Sequence, residues 1–214
     1  MSRRRHSLGL ATFAALFLVA YLFWPRQANL RAFEPERVGK METAMWRQYY
    51  EKRYLPLFRN LYAVSRVQYG FSPWDSLRLA WYAARAARQF QPTRSRPEAE
   101  QVVPLLERYY GIMRDASLEK FDSAKAARLE LEWWQMRREE ATPEQYGNVI
   151  AQVLAELYHS QSPGLTQSAV RRAEMMQLRD KKSASGLEEG DWSQIEDGLV
   201  QSYRLLKAEV QERK

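Results

Sequence analysis

Nineteen consecutive residues without a charge, Ser7 to Pro25 of "MSRRRHSLGLATFAALFLVAYLFWPRQ", follow Arg3, Arg4 and Arg5 with only His6 between. As a helix rising 1.5 Å per residue this run spans about 28 Å, close to the roughly 30 Å of bilayer hydrocarbon. A cleaved secretory signal carries a shorter apolar region, about 7–15 residues, closed by a small-x-small site. Here the run ends in the bulky Tyr21, Leu22, Phe23, Trp24 and Pro25. The pattern predicts a basic tail over 1–6 and an uncleaved, single-pass signal-anchor helix over 7–25. Arg3, Arg4 and Arg5 anchor one end at the membrane interface, and Tyr21 and Trp24 the other. The bilayer is thus an expected partner. Three arginines and the amino terminus on one side, against Arg26 and Arg31 on the other, predict a cytoplasmic N-terminus and a domain on the far face.

The same arginines account for most of the net charge of +7. Residues 1–33 hold five arginines and no acid, which leaves 28 basic and 26 acidic residues in the remainder. So balanced a domain lacks the electrostatic footprint of a nucleic-acid binder, and none is expected as a partner. One stretch departs from the balance. From Arg78 to Arg96 there are five arginines and no acid. Arg78 and Arg85 are therefore candidates for a surface that meets a partner or anionic lipid. No cysteine occurs, which excludes disulfides, thiolate metal sites and cysteine nucleophiles.

Beyond a linker over 26–37, residues 38–214 read as one α-helical domain of about seven helices. No segment alternates with period two for long enough to make a strand, and no repeat recurs at solenoid length. The punctuation is helical. Ser72-Pro73-Trp74-Asp75 places a cap, a first-turn proline and an acid in order. Thr142-Pro143-Glu144-Gln145 has capping-box spacing, as does Ser193 with Glu196. Pro56 is expected to kink or break a first long helix over 38–69. Pro92 ends one helix and Pro97 opens the next, while Ser117 is expected to begin the helix that follows. Trp192, Ile195, Leu199, Tyr203, Leu206 and Val210 recur at steps of three and four as the clearest apolar stripe.

Residues 127–140, "ARLELEWWQMRREE", crowd four glutamates and two tryptophans into one segment. If Leu118, Phe121, Leu129, Trp133 and Met136 define its core face, Glu132 lies about 50° from the centre of that face. Glu130 falls further round. The candidate buried carboxylates are then Glu132, Asp122 on the same side, and Glu42 in the first helix. A buried carboxylate requires a partner, and Arg53 or Arg85 are the expected ones. Trp134 diverges by 100° from Trp133 and so must meet a second surface, another helix or a partner protein.

Catalytic constellations do not assemble. Glu156-x-x-His159 has the spacing of a ferritin-like metal ligand pair, but the second motif is missing, since His6 is the one other histidine. No phosphate loop, dinucleotide turn or nucleophile elbow occurs. No catalytic residue, metal or cofactor is therefore expected. The sequence points to a membrane-anchored helical domain that binds or scaffolds a protein partner beside the membrane. The alternative is a membrane-tethered enzyme built on buried carboxylates, either glycan-cleaving or ferritin-like.

Overall fold

The computed structural model describes residues 19–24, 26–183 and 185–211. Among these residues the secondary structure is helical apart from one isolated bridge. Nine α-helices lie between Pro35 and Val210: α1 Pro35–Tyr50, α2 Tyr54–Ala63, α3 Pro73–Phe90, α4 Arg96–Ala99, α5 Val103–Ala116, α6 Ser123–Arg138, α7 Pro143–Tyr158, α8 Pro163–Lys182 and α9 Glu189–Val210. A π-helical turn over Val64–Gln68 extends α2. The all-α class holds, with two more helices than expected; one of them, α4, is a single turn. Most of the anchor segment 7–25, with Arg3, Arg4 and Arg5 before it, lies outside the described residues. Residues 19–23 are helical. Among the described residues no helix is long and apolar enough to cross a membrane.

Proline sets where the helices start. Lacking an N–H and fixing φ near −65°, it fits the first turn, where donors are unpaired anyway. Pro35, Pro73, Pro97, Pro104, Pro143 and Pro163 all stand in the first two helical positions. Pro56 does the same work one position later. Of the two outcomes expected at Pro56 the helix takes the break, interrupted over 51–53 with Lys52 at positive φ, because the proline ring clashes with the preceding turn. Side chains cap several starts: Ser72 Oγ accepts the Asp75 N–H at 3.0 Å, and Thr142 with Gln145 closes the predicted capping box. Two starts move. Asp122, rather than Ser117, caps α6, and Glu188 with Asp191 caps α9, which leaves Ser193 inside the helix donating to the Glu189 carbonyl.

The packing order forms a closed circuit. Going round, α1, α2, α3, α5, α6, α7, α8 and α9 each pack on the next, and α9 packs on α1. Neighbours in sequence are neighbours in space, and the last helix seals the ring against the first. Two of these contacts bring backbones close. Gly39 of α1 faces Val200 of α9, and Gly147 of α7 faces Val170 of α8.

The segment expected to be a linker is part of the core. Ala28, Leu30 and Phe33 are all buried. Ala28 forms a parallel bridge with Ser117, donating to the Ala116 carbonyl at 2.8 Å and accepting from Leu118 at 2.9 Å. This bridge explains why Ser117 begins no helix: its backbone is extended and paired. Arg31 then donates to the last carbonyls of two helices, Val210 through Nη1 and Tyr158 through Nη2, each at 2.9 Å. Helix C-termini carry unpaired carbonyls and partial negative charge, so one guanidinium satisfies both. Glu119, itself buried, holds Arg31 Nε at 3.2 Å.

Candidate functional site

Each helix of the ring except α1 and the single-turn α4 sends side chains into a central chamber of about 360 Å³. Leu61, Ala83, Leu106, Met113, Val153, Leu154, Leu157 and Leu206 form apolar wall, and Leu30 comes from the inserted N-terminal segment. Besides Ala169, the remainder is aromatic and polar: Tyr69, Tyr109, Tyr110, Tyr158, Tyr203, Trp134, Ser168, Ser202, Glu130 and Arg172.

Two carboxylates, the buried Glu42 and the half-buried Glu130, are tied to this lining. Glu42 of α1 accepts from Arg172 Nε and Nη2 of α8 at 2.9 and 2.6 Å, and from the Tyr203 hydroxyl of α9 at 2.6 Å. The Arg172 guanidinium lies 5.6 Å from the centre of the Trp133 ring. Burial alone would depress its pKa, but Glu42 and Tyr203 raise it above the ordinary arginine value, so the charge is secure. Glu130 of α6 accepts from Tyr110 and Trp133 on one oxygen, both at 2.9 Å, and from Trp134 on the other at 3.0 Å. Indole N–H groups only donate, so the three bonds hold Glu130 as an acceptor on both oxygens. Burial pushes the phenols of Tyr110 and Tyr203 well above their ordinary range, with Glu130 and Glu42 adding to the effect.

The lining keeps donors in hand. Among the described residues the hydroxyls of Tyr69 and Tyr109 and Nη1 of Arg172 make no hydrogen bond, although each residue lines the chamber. Burial raises the pKa of both phenols, so they stay protonated donors. None of the three is among the buried atoms left without a partner, and Tyr69, Tyr109 and Arg172 are each half-buried, so these donors are open to whatever fills the chamber. The chamber therefore presents an apolar body and a cluster of donors, the pattern of a small-molecule pocket.

The predicted site residues are distributed as follows. Glu42 is buried as expected, but its partner is Arg172; Arg53 pairs with Glu51, and Arg85 stacks 5.8 Å over Trp81. Glu132 is not buried. It shares Arg96 with Glu139 at 2.9 and 2.7 Å on the outer surface. Asp122 is an exposed N-cap that accepts from Ala124 and Lys125. Leu118 and Phe121 precede the helix that starts at Ser123. Within it Trp133 is buried as expected, with Ala126, Ala127, Leu131 and Gln135, and Leu129 and Met136 pack against the core, while Glu130 and Trp134 line the chamber. Trp134 accordingly meets this domain rather than a partner, its ring 5.1 Å from Phe90 and 6.0 Å from Trp133. Arg78 pairs with Asp75 at 3.2 Å. Glu156 holds Lys125, and His159 takes a left-handed backbone with its Nε2 at 2.6 Å from the Lys120 carbonyl. Tyr21 and Trp24 are exposed. Among the described residues no group of three or more His, Asp or Glu is placed to hold a metal ion.

No protein-family model matches the chain, and no curated protein or solved structure matches it. Sequence reasoning gives Glu130, Tyr203 and Arg31 no site role and does not reach Arg172. Glu130 alone left a local trace: its i+3 and i+4 neighbours are both tryptophans, whose N–H groups need an acceptor when buried.

Proposed function

We propose that this chain is a single-pass membrane protein whose helical ring binds a small amphiphilic molecule in its central chamber. The N-terminus is cytoplasmic in this reading, and the ring lies on the far face of the membrane. The observation that carries the binding role is the set of three unused donors on residues that line a cavity walled mainly by apolar and aromatic side chains. Their chemistry calls for oxygen acceptors on the ligand, joined to an apolar body that covers the leucine wall. A volume of about 360 Å³ fits one small molecule rather than a protein segment. The tether rests on the uncharged run from Ser7 to Pro25 and its flanking arginines. An enzyme acting through buried carboxylates is less well supported, since Glu42 and Glu130 are each saturated by protein donors.

The test is native mass spectrometry of the full chain released from mild detergent, with the Tyr69→Phe/Tyr109→Phe double variant beside it. Both changes keep the rings and remove only unpaired hydroxyls, so the variant is expected to fold with an unchanged helical melt. The wild type is expected to carry a small molecule that the variant loses. Equal content in both, with water alone in the chamber, sinks the assignment.

A further inference from the structure

The outward face of α3 is made of tryptophan, leucine and arginine alone. At 100° per residue, Trp74, Leu77, Arg78, Trp81, Arg85 and Arg88 fall within about 100° of the helix circumference. Trp74 and Leu77 are each 41% exposed and Trp81 is 53% exposed, too much apolar surface on one helix for a face that meets only water. Opposite lie Ser76, Leu79, Ala80 and Ala86, all buried against the ring. Arg78 has Asp75 for a partner, but among the described residues Arg85 and Arg88 pair with no acid. The stripe runs for about 21 Å between Trp74 and Arg88.

The position of this face is set by the end of the uncharged N-terminal run. The Phe23 ring lies 5.2 Å from that of Trp74, which brings the last residues of the run to the start of α3. Val19, Tyr21, Phe23 and Trp24 are themselves exposed, so an apolar surface continues from the run onto the helix. Indole rings between arginine side chains, with no acid among them, are the composition of a helix lying in the headgroup region.

We infer that the outward face of α3 lies flat on the bilayer, with Trp74, Leu77 and Trp81 among the upper acyl chains and Arg85 and Arg88 on anionic headgroups. This rests on the membrane tether proposed above, and it adds an orientation. The ring is held edge-on to the membrane by α3, with one fixed side turned toward the lipid.

Because the chain has no native cysteine, single cysteines report on this without background. Leu77→Cys and Trp81→Cys, with Gln201→Cys at an exposed position of α9 as control, are labelled with an environment-sensitive fluorophore. The full chain is reconstituted in vesicles of phosphatidylcholine with phosphatidylglycerol, some lipids carrying a headgroup-proximal nitroxide. Labels at 77 and 81 are expected to shift to the blue and be quenched, and the label at 201 to do neither. Arg85→Glu/Arg88→Glu in the labelled background removes two headgroup contacts and is expected to lower the lipid-apposed population about thirtyfold. Both arginines are exposed, and an unchanged circular-dichroism melt confirms the fold. Carbonate-resistant flotation reads the tether separately. Flotation without quenching at 77 and 81 overturns the lipid-facing α3 while leaving the tether standing; loss of flotation overturns both. Quenching that appears only as labelled copies are concentrated assigns the face to a second copy and overturns the proposal as well.

Discussion

Arg172 and Glu42 stand 130 residues apart and meet inside the ring, where the carboxylate is 4% exposed. Removing one partner of such a pair leaves an uncompensated buried charge, which costs about 3–5 kcal/mol. Arg172→Met is therefore expected to lower stability by that order. Glu42→Gln in the same chain removes the stranded charge and keeps an acceptor for Tyr203. Urea denaturation of the three variants tests this: the double variant should recover part of the loss seen in Arg172→Met. If the double variant is as unstable as the sum of the two single ones, the pair is not coupled and its packing, not its charge, matters. That Glu42 faces inward was legible from its neighbours on the first helix. Its partner was not, because the pairing depends on how α8 is brought round to α1, and no local pattern encodes that.

The helices themselves were readable wherever their signals lie within one turn. Ser72, Thr142 and the stripe from Trp192 to Val210 each act over three or four residues, the range of a cap or a helical face. Failures came where a distant element competes for the backbone: Ser117 is claimed by Ala28, and the supposed linker is drawn in by Arg31 and the two helix ends it caps. Ring closure is a further long-range feature, and it leans on one glycine. A Cβ on Gly39 would stand 2.7 Å from Val200 Cγ2 and 2.8 Å from Val200 Cα, and the backbone atom cannot rotate away. Alanine gains about 0.8–1.0 kcal/mol in helix propensity over glycine, whereas overpacking costs about 1–3 kcal/mol. Gly39→Ala should thus lose stability on balance. Gly111, inside α5, has open space around its would-be Cβ, so Gly111→Ala should gain the propensity term undiminished. Opposite shifts in thermal midpoint are expected; a gain in both would show that α1 and α9 are free to separate.

At the scale of the whole molecule, the ring gathers five tyrosines round one chamber, Tyr110 and Tyr158 buried and Tyr69, Tyr109 and Tyr203 half-buried. Burial pushes Tyr69, Tyr109, Tyr110, Tyr158 and Tyr203 above the ordinary phenol value of 10.0, and Tyr146 outside the chamber up to about 12. In the unfolded chain these phenols release their protons near pH 10, while in the folded chain they keep them. Between the two values the unfolded state binds fewer protons, so stability must fall as pH rises. Below pH 10 both states are protonated and this contribution is constant. Each tyrosine can remove up to about 1.4 kcal/mol per pH unit above its unfolded value, so several acting together give a steep alkaline limit. Urea midpoints should therefore hold level from pH 8 toward 10 and drop sharply beyond it. Tyrosinate absorbance should show the exposed phenols titrating first, then a second step that coincides with loss of helix. In Tyr69→Phe/Tyr109→Phe two of these protons are gone, and the alkaline slope should flatten accordingly. A smooth titration of all twelve tyrosines near pH 10 with the helices intact would mean that water reaches the chamber freely and the ring is open.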